Sequence, residues 1–179
     1  MESALSPKPS VTSEFTPTQT LTPTLSSTPT ETTTAMSTST QPMSEDEIMI
    51  RDLLEKQWVE AYNSHDIEKI LRLYTDNASL IVRGGQYAYQ GLKGENGIYW
   101  HYWWHRENNS RLLNYKIKSV DIAGDKAKVY ATYGFTCNKA SLSGIRQYEL
   151  VKITKITKGN VTTRLPKPMW KIDAEQTNT

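Results

Sequence analysis

Residues 44–82 read SEDEIMIRDLLEKQWVEAYNSHDIEKILRLYTDNASLIV, and this stretch decides the fold. Ile50, Leu53, Leu54, Trp58, Ala61 and Tyr62 recur at helical spacing, giving one apolar stripe on a long amphipathic helix. Ser44 followed three residues later by Glu47 is the spacing of a capping box, which satisfies backbone N–H groups at a helix start. Asn63-Ser64-His65-Asp66 breaks the helix, and Asp66 caps a short second one running to about Tyr74. Ile67, Ile70, Leu71 and Tyr74 are its inward residues. Thr75-Asp76-Asn77 is turn chemistry, and residues 78–82, ASLIV, have strand composition.

Working outward, Gly84-Gly85 suits a hairpin turn into a short strand over 86–90. Gly91, Gly94 and Gly97 then interrupt regular structure before Ile98-Tyr99-Trp100-His101-Tyr102-Trp103-Trp104-His105, whose lack of period-2 alternation predicts a third helix. Downstream the pattern turns to β. Residues 113–122 read as a strand, Ala123-Gly124-Asp125-Lys126 as its turn, and 127–136 as a strand with Ala127, Val129, Ala131, Tyr133 and Phe135 on one face. Further strands are expected over 145–157 and 169–176. Between them lie a turn at Lys158-Gly159-Asn160 and a longer connection over 161–168, closed by Pro166 and Pro168. Helices segregated from long antiparallel strands define an α+β class. A sheet wrapped on the first helix would bury Trp58 and Trp170 in one core.

Residues 1–42 form a separate region, a Thr/Ser/Pro-rich tail with 27 such residues and Phe15 as its sole aromatic. So little apolar surface cannot offset the entropy of ordering, so the tail is expected to be extended and disordered. A hexad recurs there as TPTQTL, TPTLSS and TPTETT, and Ser6, Thr16, Thr22 and Thr28 each precede a proline. A spacer is the simplest reading; O-glycosylation and phosphorylation stay open. The folded domain is expected over 43–179.

The single cysteine, Cys137, excludes an intrachain disulfide. No run approaches roughly 18 apolar residues, which excludes a helical membrane span. MESALSPKPS carries no apolar core of a secretory signal. A cytoplasmic location is the resulting expectation. Residues 43–109 hold 7 Lys/Arg against 11 Asp/Glu, and 110–179 hold 13 against 5. Such asymmetry suits an anionic partner or a second copy of the chain, or simply a helical half and a Lys-decorated sheet. Lys116, Lys118, Lys126, Lys128, Lys152, Lys155 and Lys158 fall on expected strands or their ends, but Tyr130 is the one aromatic suited to interleave with them, so neither nucleic acid nor membrane is expected as a partner.

The order of elements resembles the nuclear transport factor 2-like superfamily, in particular its SnoaL-like members. The likeness is carried by Trp58-Val59-Glu60-Ala61-Tyr62-Asn63-Ser64-His65-Asp66, Leu73-Tyr74-Thr75-Asp76-Asn77-Ala78 and Gly91. Ala123-Gly124-Asp125-Lys126-Ala127-Lys128-Val129 and Trp170-Lys171-Ile172 complete it. The resemblance implies a cystatin-like, cone-shaped α+β barrel, a curved and mostly antiparallel sheet around the N-terminal helix. It also implies a pocket for a small hydrophobic molecule, and commonly a homodimer. The superfamily holds isomerases, cyclases and hydrolases beside non-catalytic association modules, so the fold leaves the activity open. No cofactor is implied.

Candidate chemistry centres on the third helix. His101 and His105 share a helical face, but Tyr102 stands where a zinc-protease helix has Glu, and no third ligand is evident, so no metal is expected. Asp121 and Asp173 alternate against apolar neighbours and are expected to face away from the core. His101 and Glu149 are the candidate acid/base groups, and convergence of His101, Arg146, Tyr148 and Glu149 inside the cone would mark a working site. Trp58, Tyr62, Trp100, His101, Trp104 and Tyr148 are the expected pocket lining.

Overall fold

The computed structural model describes residues 42–82, 85–138 and 140–178. Residues 1–41 of the tail, and Gly84 of the expected hairpin turn, lie outside the described residues. Helix α1 covers 45–63 in three parts: α-helical Glu45–Arg51, a wider π-helical stretch Asp52–Trp58, and α-helical Val59–Asn63. The Glu47 N–H donates to Ser44 Oγ at 3.1 Å, as the capping spacing requires. All six residues of the apolar stripe are buried, so the π stretch adjusts the helix without turning that face outward. Asp46 at its start accepts from Trp170 Nε1 at 3.0 Å and from Lys152 Nζ, tying the helix to the sheet.

Helix α2, Ile67–Leu71, is capped by Asp66, whose Oδ1 accepts the Lys69 N–H at 3.0 Å. It ends sooner than the sequence suggested. Tyr74 opens strand β1, Tyr74–Val82, because it pairs with Ile172 while the Ile172 N–H donates to the Leu73 carbonyl. Thr75-Asp76-Asn77, expected as a turn, lies within β1 where its register is irregular, between Tyr74 and Ser79. Strand β2 is Tyr87–Gln90, and helix α3 is Ile98–Glu107. Strands β3, Arg111–Ala123, and β4, Lys126–Cys137, meet at a turn where Gly124 takes φ +64°. Strands β5, Ala140–Lys158, and β6, Val161–Asn178, complete the sheet.

The sheet order is β2-β1-β6-β5-β4-β3, with β1 and β6 parallel and every other pair antiparallel. It is an open curved sheet, and the cone is left unclosed between β2 and β3. The connection expected over 161–168 is instead strand. Lys155 pairs with Arg164 and Lys158 with Val161, forming a ribbon. Pro166 and Pro168 fall between the paired Arg164 and Met169, in a bulge where a missing N–H breaks no ladder bond.

One core unites α1 with the concave face: Trp58 and Trp170 are both buried in it, with Ala127, Val129, Ala131, Tyr133 and Phe135 of β4. Among the described residues, no helix is long and apolar enough to cross a membrane.

Candidate functional site

α3 packs on the core through Ile98, His101, Tyr102 and His105, while Trp100, Trp103 and Trp104 stay partly exposed. That split answers the crowding of five large aromatics on one helix. Beside its inner face a cavity of about 350 Å³ opens between α3, β2 and the ends of β4 and β5. Val82, Tyr133, Phe135 and Leu142 supply apolar wall, and His101, His105 and Arg146 supply polar groups. A wider groove of about 960 Å³ follows the outer side of α1, but half of the residues on its border are charged, among them Arg51, Asp52, Lys56 and Glu60. The cavity beneath α3 is the better candidate, since small-molecule sites are mostly apolar with a few fixed polar groups.

Behind the cavity lies a buried polar network. Arg146 Nη1 donates to Glu175 Oε1, and both side chains are buried. Tyr74 donates to Glu175 Oε2, Tyr102 reaches the same oxygen at 3.3 Å, and the two tyrosine hydroxyls are 2.6 Å apart. Trp58 Nε1 donates to the Tyr102 hydroxyl at 3.2 Å. The Arg146 guanidinium lies 4.7 Å from the Trp58 ring and 4.5 Å from the Tyr133 ring, so its faces meet π-density. Burial opposes the Arg146 charge, but the Glu175 carboxylate together with Tyr148, Tyr102 and Tyr133 outweighs it and holds the guanidinium protonated. Burial, reinforced by Glu175, pushes the Tyr74 and Tyr102 phenols well above their ordinary range, so both remain donors.

The two histidines are held neutral. Burial first, then the Arg146 and His65 charges, lowers His105 to about 3. Burial, His105 and Arg146 lower His101 well below the usual imidazole range. The rings stand 4.5 Å apart, and His105 Nδ1 shares a 2.9 Å hydrogen bond with the Tyr62 hydroxyl. His101 Nε2 and Arg146 Nε have no hydrogen-bond partner among the described residues. Among those residues no cluster of three or more His, Cys, Asp or Glu is placed to hold a metal ion.

The residues singled out in the sequence are distributed as follows. His101 and Trp104 line the cavity. Trp58, Tyr62 and Tyr148 lie in the core next to it, Trp58 against Arg146 and Tyr62 on His105. Trp100 borders a separate depression with Lys93, Glu95 and Tyr99, its Nε1 donating to the Gly94 carbonyl. Glu149 is 62% exposed on the other face of β5, 3.6 Å from Lys128. Asp121 and Asp173 are exposed, Asp173 accepting from Thr75 Oγ1.

The buried carboxylate is Glu175, which strict alternation along β6 turns outward. Ala174 pairs with Glu149 and Ile172 with Leu150, leaving Asp173 as an extra residue. This bulge switches the buried set from Trp170 and Ile172 to Glu175 and Thr177. No sequence signal marks it apart from the buried Arg146 seeking a partner.

An open, curved mixed sheet over a long helix, with a cavity beneath a third helix, defines a cystatin-like, nuclear transport factor 2-like domain. The SnoaL-like domain family model matches residues 56–162, and the chain belongs to that family. Solved structures carry the same fold. An NTF-2 like protein of unknown function from Shewanella oneidensis is 19% identical, with a TM-score of 0.56 over 75% of this chain and 99% of that one. A ketosteroid isomerase-like protein from Erwinia carotovora is 18% identical, with a TM-score of 0.54 over 76% and 97%. A domain of unknown function with a cystatin-like fold from Nostoc punctiforme is 15% identical, with a TM-score of 0.56 over 76% and 78%. A comparison with curated proteins gives no match.

Proposed function

We propose that this domain binds a small, mostly apolar molecule in the cavity between α3 and the sheet. The observation that carries the reading is a part-open cavity of about 350 Å³ with aromatic and aliphatic walls and polar groups confined to His101, His105, Arg146 and a few neighbours. Binding is favoured over turnover by the state of those groups. An isomerase, cyclase or hydrolase needs an acid or base that exchanges protons near neutrality. Among the described residues no carboxylate lines the cavity. Glu175, behind it, already accepts from Arg146, Tyr74 and Tyr102. His105, at about 3, is too weak a base to hold a substrate proton.

The test uses the uncharged dye N-phenyl-1-naphthylamine, whose fluorescence rises in apolar surroundings. Cys137 lines the cavity, so a dye seated there slows alkylation of its thiol by iodoacetamide. Leu142→Trp, which narrows the same wall, weakens the dye. Dye binding without protection of Cys137, or an absence of saturable binding, would overturn the reading.

A second reading, association of two copies, is supported by the outer sheet face, where Leu113, Tyr130 and Ile145 remain 63%, 41% and 49% exposed. Light scattering coupled to size exclusion decides it, and a monomer at tens of micromolar overturns it.

A further inference from the structure

Arg146 and His101 both line the cavity, both are buried, and each keeps one nitrogen without a hydrogen-bond partner among the described residues. A buried N–H left dry and unpaired is costly, and native sites usually reserve such groups for water or a ligand. The charge balance limits what that ligand can be. Arg146 is the sole cationic side chain among the described lining residues, and its charge is already met by Glu175. The rest of the described lining is neutral, from Val82, Tyr133 and Phe135 to Leu142. The described lining therefore has hydrogen-bonding capacity to spare and no net charge to offer.

We infer that the bound molecule is uncharged and carries a carbonyl or hydroxyl oxygen, which Arg146 and His101 hold by hydrogen bonds while its apolar body fills the aromatic part of the cavity. A carbonyl accepts from Arg146 Nε–H and from His101 in its Nε2–H form, and a hydroxyl suits either form of the ring. A carboxylate ligand would add a second anion beside Glu175 with one guanidinium among the described lining residues to share. The burial that keeps His101 and His105 neutral works in the same direction, since neither ring supplies a compensating proton. The inference rests on the cavity-binding reading and narrows it to a ligand class.

Displacement of N-phenyl-1-naphthylamine at pH 7.5 by naphthalene, 2-acetylnaphthalene, 2-naphthol and 2-naphthoate tests it on the full chain. The better of the ketone and the naphthol binds about threefold to tenfold more tightly than naphthalene. It outcompetes the naphthoate by about tenfold or more. Within the variant His101→Phe, the preference for the oxygen-bearing competitor over naphthalene shrinks towards one. A naphthoate that binds as well as the neutral compounds, or a ketone and a naphthol no better than naphthalene, overturns the inference. So does a preference that survives intact in His101→Phe. The ranking in the unmodified protein decides the matter alone if that variant does not fold. Failure of the dye to protect Cys137 is a different result: it removes the binding reading, and this one with it.

Discussion

Arg146 on β5 and Glu175 on β6 form an ion pair whose side chains are 2% and 0% exposed. They sit diagonally across the ladder, Arg146 opposite Thr177 and Glu175 opposite Tyr148. Such a pair is sustained by attraction at short range and by the hydrogen bonds that fill its remaining valences, here from Tyr74 and Tyr102. Removing one partner strands the other. Glu175→Ala is therefore expected to lose about 3–5 kcal/mol of unfolding free energy, more than an ordinary core truncation to alanine of similar size. The double variant Arg146→Met with Glu175→Leu is expected to recover part of that loss. Urea unfolding of the single and double variants checks both statements. A double variant less stable than Glu175→Ala would show that the charges do not depend on each other.

The neutral histidines make stability depend on pH in one direction. His105 titrates near 6.5 when unfolded and at about 3 when folded. Above pH 6.5 neither state carries the proton, and stability is full. As pH falls from 6.5 towards 3, the unfolded chain takes up a proton that the folded site refuses, costing about 1.4 kcal/mol per pH unit. His105 alone costs about 1.4 kcal/mol between pH 7.5 and 5.5, and His101, shifted the same way, adds to the drop. Urea midpoints at the two pH values measure this, and His105→Gln is expected to remove about 1.4 kcal/mol of the drop. An unchanged drop in that variant would count against a buried neutral His105.

The part of the molecule legible from sequence is the part governed by local periodicity. The stripe from Ile50 to Tyr62 and the alternation from Ala127 to Phe135 each predict the buried face, because burial follows the element's own repeat. What escapes is set by pairing between distant strands. Tyr74 leaves the second helix for β1 because Ile172, far along the chain, is there to pair with it. Asp173 is an extra residue only relative to Glu149 and Leu150, so the inward turn of Glu175 has no local signature. The site follows the same division. His101 and Trp104 were visible in the aromatic run of α3, whereas the carboxylate behind them depends on a bulge.

The β5/β6 ribbon beyond the proline bulge is expected to be the least protected part of the sheet. From Lys155 to Lys158 and from Val161 to Arg164 every residue is exposed, and the two strands pair with each other. A two-stranded ribbon without a packed face is marginal in water. Its amides should exchange with deuterium well before those of Ala127–Phe135, and replacing 156–163 by a short turn should change stability by less than about 1 kcal/mol. Slow exchange in the ribbon, matching β4, would indicate that another surface covers it.

Gly97, at the start of α3, is required by crowding rather than by an unusual backbone angle. Its φ of −73° and ψ of 154° suit any residue, but a Cβ there would lie 2.7 Å from the Lys93 backbone and 2.9 Å from the Leu92 carbonyl oxygen. The loop is pinned at that point, because the N–H groups of Ile98 and Tyr99 donate to the carbonyls of Gly91 and Leu92. Gly97→Ala must therefore push the loop away or shift the first turn of α3, which carries Ile98 and, one turn on, His101. A cost of about 1–3 kcal/mol is expected, together with weaker dye binding in the cavity. Gly124→Ala is the control: its φ of +64° is strained for alanine, but nothing lies within 4 Å of the added carbon, and it is far in sequence from α3. It should lower stability by about 1–2 kcal/mol while leaving dye affinity where it was. Equal effects of the two substitutions on dye binding would separate the position of α3 from the shape of the cavity.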